Sequence, residues 1–169
     1  MKENAPSHKT NAMRMLEANH VPYQAYYFSP EIHSADGVAV ALGLPTSHVY
    51  KTLVVLRERG RPLLVIVAGD REVDMRRLAR SLGEKAVKLA PKREAEHLTR
   101  LQVGGISALA LLDRGFEVFL DRPALELEII LVSAGQRGIN LQLRVEDLVR
   151  ITGARIIDAT SDGVSVEHL

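Results

Sequence analysis

The stretch Val49-Tyr50-Lys51-Thr52-Leu53-Val54-Val55 places a lysine in the middle of a segment whose pattern predicts a β-strand. Alternate side chains of a strand point to opposite faces. Lys51 is therefore expected to share a face with Val49, Leu53 and Val55, and the other face holds Tyr50, Thr52, Val54 and Leu56. Burying an ammonium costs free energy unless an anion or carbonyl oxygens lie beside it. Lys51 either reaches solvent from an edge strand or serves a binding site.

Two small, glycine-rich loops further along the chain offer partners for this lysine. They are Val103-Gly104-Gly105-Ile106-Ser107 and Val132-Ser133-Ala134-Gly135-Gln136-Arg137-Gly138, and both adjoin apolar, strand-like sequence. Glycines in such loops let the backbone approach a ligand closely, although tight turns are their commoner use. Taken together, the three segments favour a site built from one lysine and backbone groups.

The three segments resemble the YbaK/ProX family of aminoacyl-tRNA deacylases. The matching residues are Tyr50-Lys51-Thr52, Gly104-Gly105-Ile106-Ser107 and Ser133-Ala134-Gly135-Gln136-Arg137-Gly138, in the order and at the spacing of the family. Ala41-Leu42-Gly43-Leu44 also fits, and the resemblance covers roughly residues 10 to 158. It implies a curved, barrel-like sheet flanked by helices.

The resemblance also implies which residues act. The expected catalytic residues are Lys51, Gly105 and Ser133. Lys51 would bind the terminal phosphate or ribose hydroxyls of the acceptor end, or orient the ester. The Ser133 hydroxyl would contact the aminoacyl group or make a local hydrogen bond at the end of its strand. The expected substrate-binding residues are Tyr27, Ser34, Thr52, Gly104, Ile106, Ser107, Ala134, Gly135, Arg137, Gly138 and Asn140.

Two positions depart from the cysteine-specific branch of the family. Ser34 stands where those members have an aromatic pocket residue, and Asn140 stands where they have an acid. The first change enlarges or repolarises the amino-acid pocket, and the second removes a charge near the reacting end. Arg137 is expected either to contact phosphate or to pair with Asp121 or Asp158.

Composition limits the chemistry. The 169 residues include no Cys and no Trp, so disulfides, thiolate metal sites and a cysteine nucleophile are excluded. Six scattered histidines form no metal-binding pair, and no cofactor is expected.

The start of the chain has no apolar segment typical of a secretory signal, and the longest apolar run, Leu63–Ala68, is too short to span a membrane. We expect a cytoplasmic protein.

Positive charge is concentrated in the middle of the chain, although the net charge is only +1. Residues 51–100 contain 13 Lys and Arg against 7 Asp and Glu, whereas residues 101–169 contain 6 against 10. The middle third is either a surface that binds a polyanion or a set of solvated helix faces. The expected tRNA-binding residues are Arg76, Arg77, Arg80, Lys88, Lys92 and Arg93.

The pattern of elements predicts one α+β domain over residues 10–169, after a polar tail of residues 1–9. Strands in hairpin-like succession with short helices indicate a mixed, mostly antiparallel sheet. Helices are expected over 10–19, 35–42, 74–82, 91–98 and 145–152, and strands over 24–28, 49–57, 63–68, 86–89, 116–120, 128–132, 139–143 and 155–157.

The sequence lacks the common catalytic signatures: a Walker-type phosphate loop, G-x-G-x-x-G and G-x-S-x-G. A Ser107–His97 pair is conceivable, but no third partner that would orient the histidine is evident. Ester hydrolysis passes through a tetrahedral oxyanion, which N–H donors and a cation stabilise. Attack is then expected from water or from the substrate itself, as in the cysteine-specific relatives, where the substrate thiol is thought to attack.

The function expected from the resemblance is trans-editing: hydrolysis of the ester of mischarged aminoacyl-tRNA, above all cysteine or another small amino acid on tRNA(Pro). A small amino acid is expected because a synthetase pocket rejects near-isosteres only by modest factors, so a second sieve is needed. Prolyl-tRNA synthetase is an expected partner. Two alternatives remain at this point. One is a non-catalytic module that binds the tRNA end or a synthetase, and the other is an esterase or amide hydrolase of small molecules.

Overall fold

The computed structural model describes residues 8–161. The expected N-terminal tail therefore lies outside the described residues, except for His8 and Lys9. The helices are α1 (Asn11–Ala18), α2 (Ala35–Leu42), α3 (Met75–Leu82), α4 (Lys92–Thr99) and α5 (Val145–Thr152). The strands are β1 (Gln24–Tyr27), β2 (Tyr50–Arg57), β3 (Leu63–Ala68), β4 (Glu72–Val73), β5 (Val87–Leu89), β6 (Glu117–Asp121), β7 (Ile129–Ser133), β8 (Ile139–Arg144), β9 (Arg155–Ile157) and β10 (Thr160–Ser161).

The strands form three sheets, which confirms a mixed α+β architecture. A five-stranded sheet has the order β5-β2-β3-β6-β9, a three-stranded sheet has the order β1-β8-β7, and β10 pairs with β4. The β2–β3 pairing is antiparallel, as the hairpin pattern predicts, but β3–β6 and β6–β9 are parallel. Within residues 8–161 no sheet closes on itself, so the expected barrel-like form is not confirmed.

The centre of the five-stranded sheet is the most buried part of the chain. Every residue of β3 is buried, because α3 and its neighbours cover one face of the sheet and the main core covers the other. A strand covered on both faces has a continuous apolar run rather than an alternating one, as Leu63–Ala68 does. Leu64 and Ile66 face the main core, and Val65 faces Leu78 of α3.

Local signals fix the helix ends near the sheet. The Ser34 hydroxyl accepts the Gly37 N–H at 3.1 Å and begins α2, and the Asp74 carboxylate accepts the Arg77 N–H at 3.0 Å and begins α3. Gly43 ends α2 with φ of +67°, the left-handed conformation that glycine adopts without strain. These caps were predictable because their donors lie within three residues. Among residues 8–161, no helix is long and apolar enough to cross a membrane.

Candidate active site

A cavity of about 400 Å³ lies beside the first half of β2. Five segments that are distant in sequence surround it, with Gly69 beside them: the start of α2, strand β2, the stretch from β5 into α4, the loop before Ser107, and the β7–β8 pair. The residues that line it and that the sequence also singled out are Ser34, Lys51, Thr52, Lys92, Gly104, Ile106, Ser133 and Asn140. The fold therefore brings residues from all three family-like segments to one place.

Lys51 is exposed at this cavity rather than buried, which removes the expected burial cost. Strand β5 pairs only with Val55–Arg57 of β2, so the part of β2 that holds Lys51 lies beyond the end of β5. Across the sheet, Lys51 is opposite Val67 of β3. Among the described residues, the Lys51 ammonium has no ion pair or hydrogen-bond acceptor, so it is available to an anionic or carbonyl ligand.

Ser133 and Asn140 are directly opposite each other on β7 and β8 and line the same cavity. The Ser133 Oγ accepts the Gly135 N–H at 3.2 Å, which is the local bond that strand-end serines often make. This bond uses the oxygen as acceptor, and the hydroxyl hydrogen stays available to donate to a ligand. Both expected roles of Ser133 are thus compatible with one geometry.

Asn140 is only 4% exposed. Within residues 8–161 its amide has no hydrogen-bond partner. Every described side-chain nitrogen or oxygen that is fully enclosed does have a partner, so the Asn140 amide must reach the surface of the cavity. An amide at the surface of the cavity is available to donate to and accept from a ligand that enters it.

Gly104 forms part of the cavity wall by close packing. Its φ is +92°, and a Cβ atom there would lie 2.3 Å from the Cβ of His33. Both observations require glycine at this position. The next residue, Gly105, donates its N–H to the Gln102 carbonyl at 2.7 Å, so that N–H is engaged in a turn and is not directed at the cavity.

Arg137 holds the two glycine-rich loops together. Its Nε donates to the Val103 carbonyl at 2.7 Å, and its backbone nitrogen lies 3.0 Å from the position of a Cβ on Gly105. The expected pairing with Asp121 or Asp158 is wrong, because those carboxylates contact other groups. Arg137 positions the loop that carries Gly104.

Several expected residues do not line the cavity. The Ser107 Oγ is buried and accepts the Ala110 N–H at 3.2 Å, while His97 is exposed on α4, so no Ser107–His97 pair forms. Tyr27 is paired with Ile139 across β1 and β8. The expected residues that are absent from the cavity lining are Tyr27, Gly105, Ser107, Ala134, Gly135, Arg137 and Gly138. The expected roles of these residues, catalytic for Gly105 and substrate-binding for the others, stay predictions.

Sequence reasoning missed His33 and Asp36, which flank the predicted cap Ser34 and also line the cavity. Their closeness to Ser34 in sequence was the available signal. Tyr50 lines the cavity as well, and burial, with the nearby Asp121 and Asp70 carboxylates, raises the pKa of its phenol well above the usual range. Tyr50 is therefore a neutral hydrogen-bond donor, not a base, at physiological pH.

The expected tRNA-binding residues are all exposed. Arg76, Arg77 and Arg80 lie on α3, and Lys88 lies on β5. The guanidinium of Arg77 lies 3.9 Å from the Asp158 carboxylate, which partly neutralises the positive charge that Arg77 offers to a phosphate. Lys92, at the start of α4, is the member of this set that also lines the cavity.

A second polar cluster surrounds Asp121, at the carboxyl end of β6. Asp121 is 1% exposed. Its Oδ1 accepts the Ala159 N–H at 2.8 Å, and its Oδ2 accepts the Thr160 hydroxyl. The Arg71 Nε donates to the Thr160 Oγ1 at 2.7 Å and lies 4.0 Å from the Asp121 Oδ2. We call this set the Asp121 network, and its protein contacts already satisfy both carboxylate oxygens.

The sequence and the fold can now be compared with those of known proteins. Residues 29–151 match the aminoacyl-tRNA editing domain, which is well over half of the chain. The chain belongs to this family, and the expectation of an aminoacyl-tRNA deacylase that acts in editing is confirmed.

The relatives agree with this assignment. A candidate Cys-tRNA(Pro)/Cys-tRNA(Cys) deacylase of Enterococcus faecalis is 34% identical over 155 residues, which cover 90% of this chain and 94% of the relative. A proline–tRNA ligase of Staphylococcus aureus is 24% identical over 80% of this chain, which spans only 22% of the ligase.

Solved structures share the fold. A candidate trans-editing enzyme for prolyl-tRNA synthetase superposes with a TM-score of 0.75 at 22% identity, over 95% of this chain and all of that one. A hypothetical protein of known structure gives a TM-score of 0.82 at 24% identity, over 89% of this chain and 99% of that one.

Proposed function

We propose that the chain removes cysteine or another small amino acid from mischarged tRNA(Pro) as a freestanding editing enzyme. The observation that carries the proposal is the cavity that unites Lys51, Ser133 and Asn140. The relatives named as a Cys-tRNA(Pro) deacylase and as a proline–tRNA ligase support the choice of tRNA. A function in editing places the protein in the cytoplasm, where tRNA is charged, and makes prolyl-tRNA synthetase its natural partner.

The chemistry assigned to the cavity is electrostatic. As the ester carbonyl is attacked, negative charge develops on its oxygen, and a cation or N–H donor already in place stabilises that charge. Lys51 supplies the cation, the Ser133 hydroxyl supplies a donor, and the Asn140 amide supplies a donor and an acceptor. Lys51 alternatively holds the terminal phosphate or the ribose of the substrate.

The attacking group is proposed to come from the substrate or from water. If the thiol of a bound cysteine attacks its own ester carbonyl, a C–S bond forms, the C–O bond to the ribose breaks, and the thiol proton passes to the departing ribose oxygen. The products are free tRNA and a cyclic thioester of cysteine. That route predicts efficient turnover of cysteinyl-tRNA(Pro) and little turnover of seryl-tRNA(Pro), because a hydroxyl is far less ionised than a thiol at neutral pH. Attack by water predicts comparable turnover of the seryl, alanyl and cysteinyl substrates.

The deciding experiment is a deacylation assay with wild-type enzyme on tRNA(Pro) charged with cysteine, serine, alanine or proline. Turnover of a small noncognate substrate with prolyl-tRNA(Pro) spared supports the proposal. Binding without turnover of any charged tRNA would indicate a non-catalytic module instead. A covalent acyl-enzyme trapped on Ser133 or Ser107 would contradict both routes of attack.

The basic middle third is proposed to bind the body of the tRNA through Arg76, Arg77, Arg80, Lys88, Lys92 and Arg93. Phosphate contacts release counterions, so the affinity falls steeply as salt rises. Charge reversal at Arg76 and Arg77 together is expected to raise KM far more than it lowers kcat. An unchanged KM in the double variant would contradict this surface.

A further inference from the structure

A second cleft, of about 380 Å³, borders the loop that carries Ser133. Its walls come from the start of α1, the end of α4, the turn Leu112–Arg114 and residues 134–136. The sequence motifs reach it only through Ala134 and Gly135, and the proposed function assigns no role to its cationic side chains. Its cationic side chains are Lys9, Arg14, Arg100 and Arg114, and His8 lies beside them.

The charge of this cleft is not compensated by its own lining. Among the described residues that line it, none is Asp or Glu. Lys9 pairs with Glu17 at 2.8 Å, outside the lining, and Arg14 contacts only the neutral Asn11 Oδ1 at 3.2 Å. Within residues 8–161, the guanidinium groups of Arg100 and Arg114 have no acceptor. Positive charge gathered in a concave surface attracts an anion more strongly than the same charge spread on a convex one.

The backbone at Arg100 gives independent support for a role of its side chain. Arg100 ends α4 in the left-handed conformation, with φ of +62°. Helices α2, α3 and α5 end in the same conformation, but on glycine, at positions 43, 83 and 153. An L side chain is strained there and glycine is not. The fold alone therefore favours glycine at position 100, and packing does not explain the arginine, whose side chain is exposed.

The cleft and the cavity are close neighbours. Ser133 lines the cavity and Gly135 lines the cleft, so their Cα atoms are at most about 7 Å apart. A Cβ atom on Gly135 would lie 2.9 Å from the Ala110 Cβ, which places the cleft wall against the segment that follows the cavity loop. A polymer whose end enters the cavity can therefore present its next phosphates to the cleft.

We propose that the cleft of Arg14, Arg100 and Arg114 binds backbone phosphates of the tRNA acceptor arm while the charged end occupies the cavity. The proposal rests on the proposed function for the identity of the polyanion. Arginine suits this role because its guanidinium forms paired hydrogen bonds with phosphate oxygens.

The test uses two variants, Arg100→Gly and the triple variant Arg14→Gln/Arg100→Gly/Arg114→Gln. Binding of uncharged tRNA(Pro) is measured by fluorescence anisotropy from low to physiological salt. The triple variant is expected to bind at least about tenfold more weakly. The slope of log affinity against log salt should fall by about two to three, since three phosphate contacts are lost and each removes about 0.7 to 0.9. With charged substrate, KM should rise far more than kcat falls.

Arg100→Gly separates binding from structure, because the two readouts should move in opposite directions. Relief of the left-handed strain raises the thermal midpoint, and loss of the guanidinium weakens tRNA binding. A merely structural arginine would give no loss of affinity. Arg59→Gln is the matched control, because Arg59 is also exposed, has no ion pair among the described residues and lies outside both the cavity and the cleft.

The outcomes also separate this inference from the proposed function. If wild-type enzyme deacylates charged tRNA(Pro) but the cleft variants keep wild-type affinity, KM and salt slope, the cleft assignment is overturned. If no charged tRNA is deacylated and the variants still lose affinity for tRNA, the cleft assignment holds and the proposed function fails. If an unrelated RNA of equal length competes as well as tRNA(Pro), the cleft binds phosphodiesters in general and the assignment to the acceptor arm is overturned.

Discussion

The cavity beside β2 and the Asp121 network are both polar, and both adjoin the five-stranded sheet, but they differ in what satisfies them. In the cavity, the side chains of Lys51 and Asn140 have no hydrogen-bond partner among the described residues. In the Asp121 network, two protein groups donate to the carboxylate. Buried polar groups with partners inside the chain hold the fold together, whereas polar side chains that face a cavity without protein partners are available to a ligand. Fold and function are therefore separable by mutation.

The largest expected effect is on stability, at Asp121. Asp121→Ala leaves the Ala159 N–H and the Thr160 hydroxyl without their acceptor and the nearby Arg71 without its carboxylate. Removing one member of a buried charged set costs about 3 to 5 kcal/mol in free energy of unfolding. Urea denaturation measures this loss, with the exposed Asp113→Ala as control. A loss below about 1 kcal/mol would show that the network does not stabilise the fold.

Lys51→Ala should have the opposite profile. Loss of the cation from the cavity is expected to lower kcat/KM for the best charged tRNA by about 100-fold or more. The thermal midpoint should stay within about 2 °C, because the lysine is exposed and breaks no protein contact when it is removed. Lys85→Ala, an exposed lysine outside the cavity lining, is the control. Turnover at the wild-type rate would remove Lys51 from the mechanism.

Asn140→Ala tests whether a buried polar residue serves activity rather than stability, because Asn140 is as buried as many core residues. We expect kcat/KM to fall by about tenfold, the value of one hydrogen bond to substrate. Stability should change by less than about 1 kcal/mol, since no protein hydrogen bond is lost. Paired denaturation and deacylation curves measure both effects. A large loss of stability with unchanged turnover would place Asn140 with the Asp121 network instead.

The smallest effect is expected at Asp158, a partly exposed acid near that network. The Arg122 Nε donates to its Oδ1 at 2.9 Å, and this hydrogen bond lowers the pKa of Asp158 below its usual value. A carboxyl group whose pKa is lowered by folding stabilises the protein above its unfolded pKa, about 3.9, and loses that contribution as the pH falls further. Wild type should therefore be slightly more stable than Asp158→Asn at pH 7, and the difference should vanish in acid. A difference that persists at pH 2 would rule out this linkage.

Local features were predictable from the sequence, and contacts between distant segments were not. The caps at Ser34 and Asp74 and the β2–β3 hairpin depend on neighbouring residues, and the structure confirms them. The parallel pairing of β3 with β6 joins segments more than 50 residues apart, and the sequence of neither strand identifies the other as its partner. Sheets with such distant pairings need the whole chain to specify them.

The candidate site shows the same division. The residue types of the site were predictable because a lysine in an apolar strand and paired glycines are unusual locally. The exposure of Lys51 was not, because it depends on where β5 stops pairing with β2. The acceptor of Arg137 was not predictable either, since Val103 is 34 residues away and the sequence also offers acids.

The contact between Gly104 and His33 limits which substitutions the protein tolerates at position 104. A codon change at position 104 must satisfy two independent demands at once, a left-handed backbone and the space now filled by His33. Val40, on the helix that follows His33, is 84% exposed and faces neither demand. A saturation library screened for folded, active enzyme should thus recover only glycine at position 104 and most residues at position 40. At position 104, the wall of the cavity therefore cannot change by single substitutions.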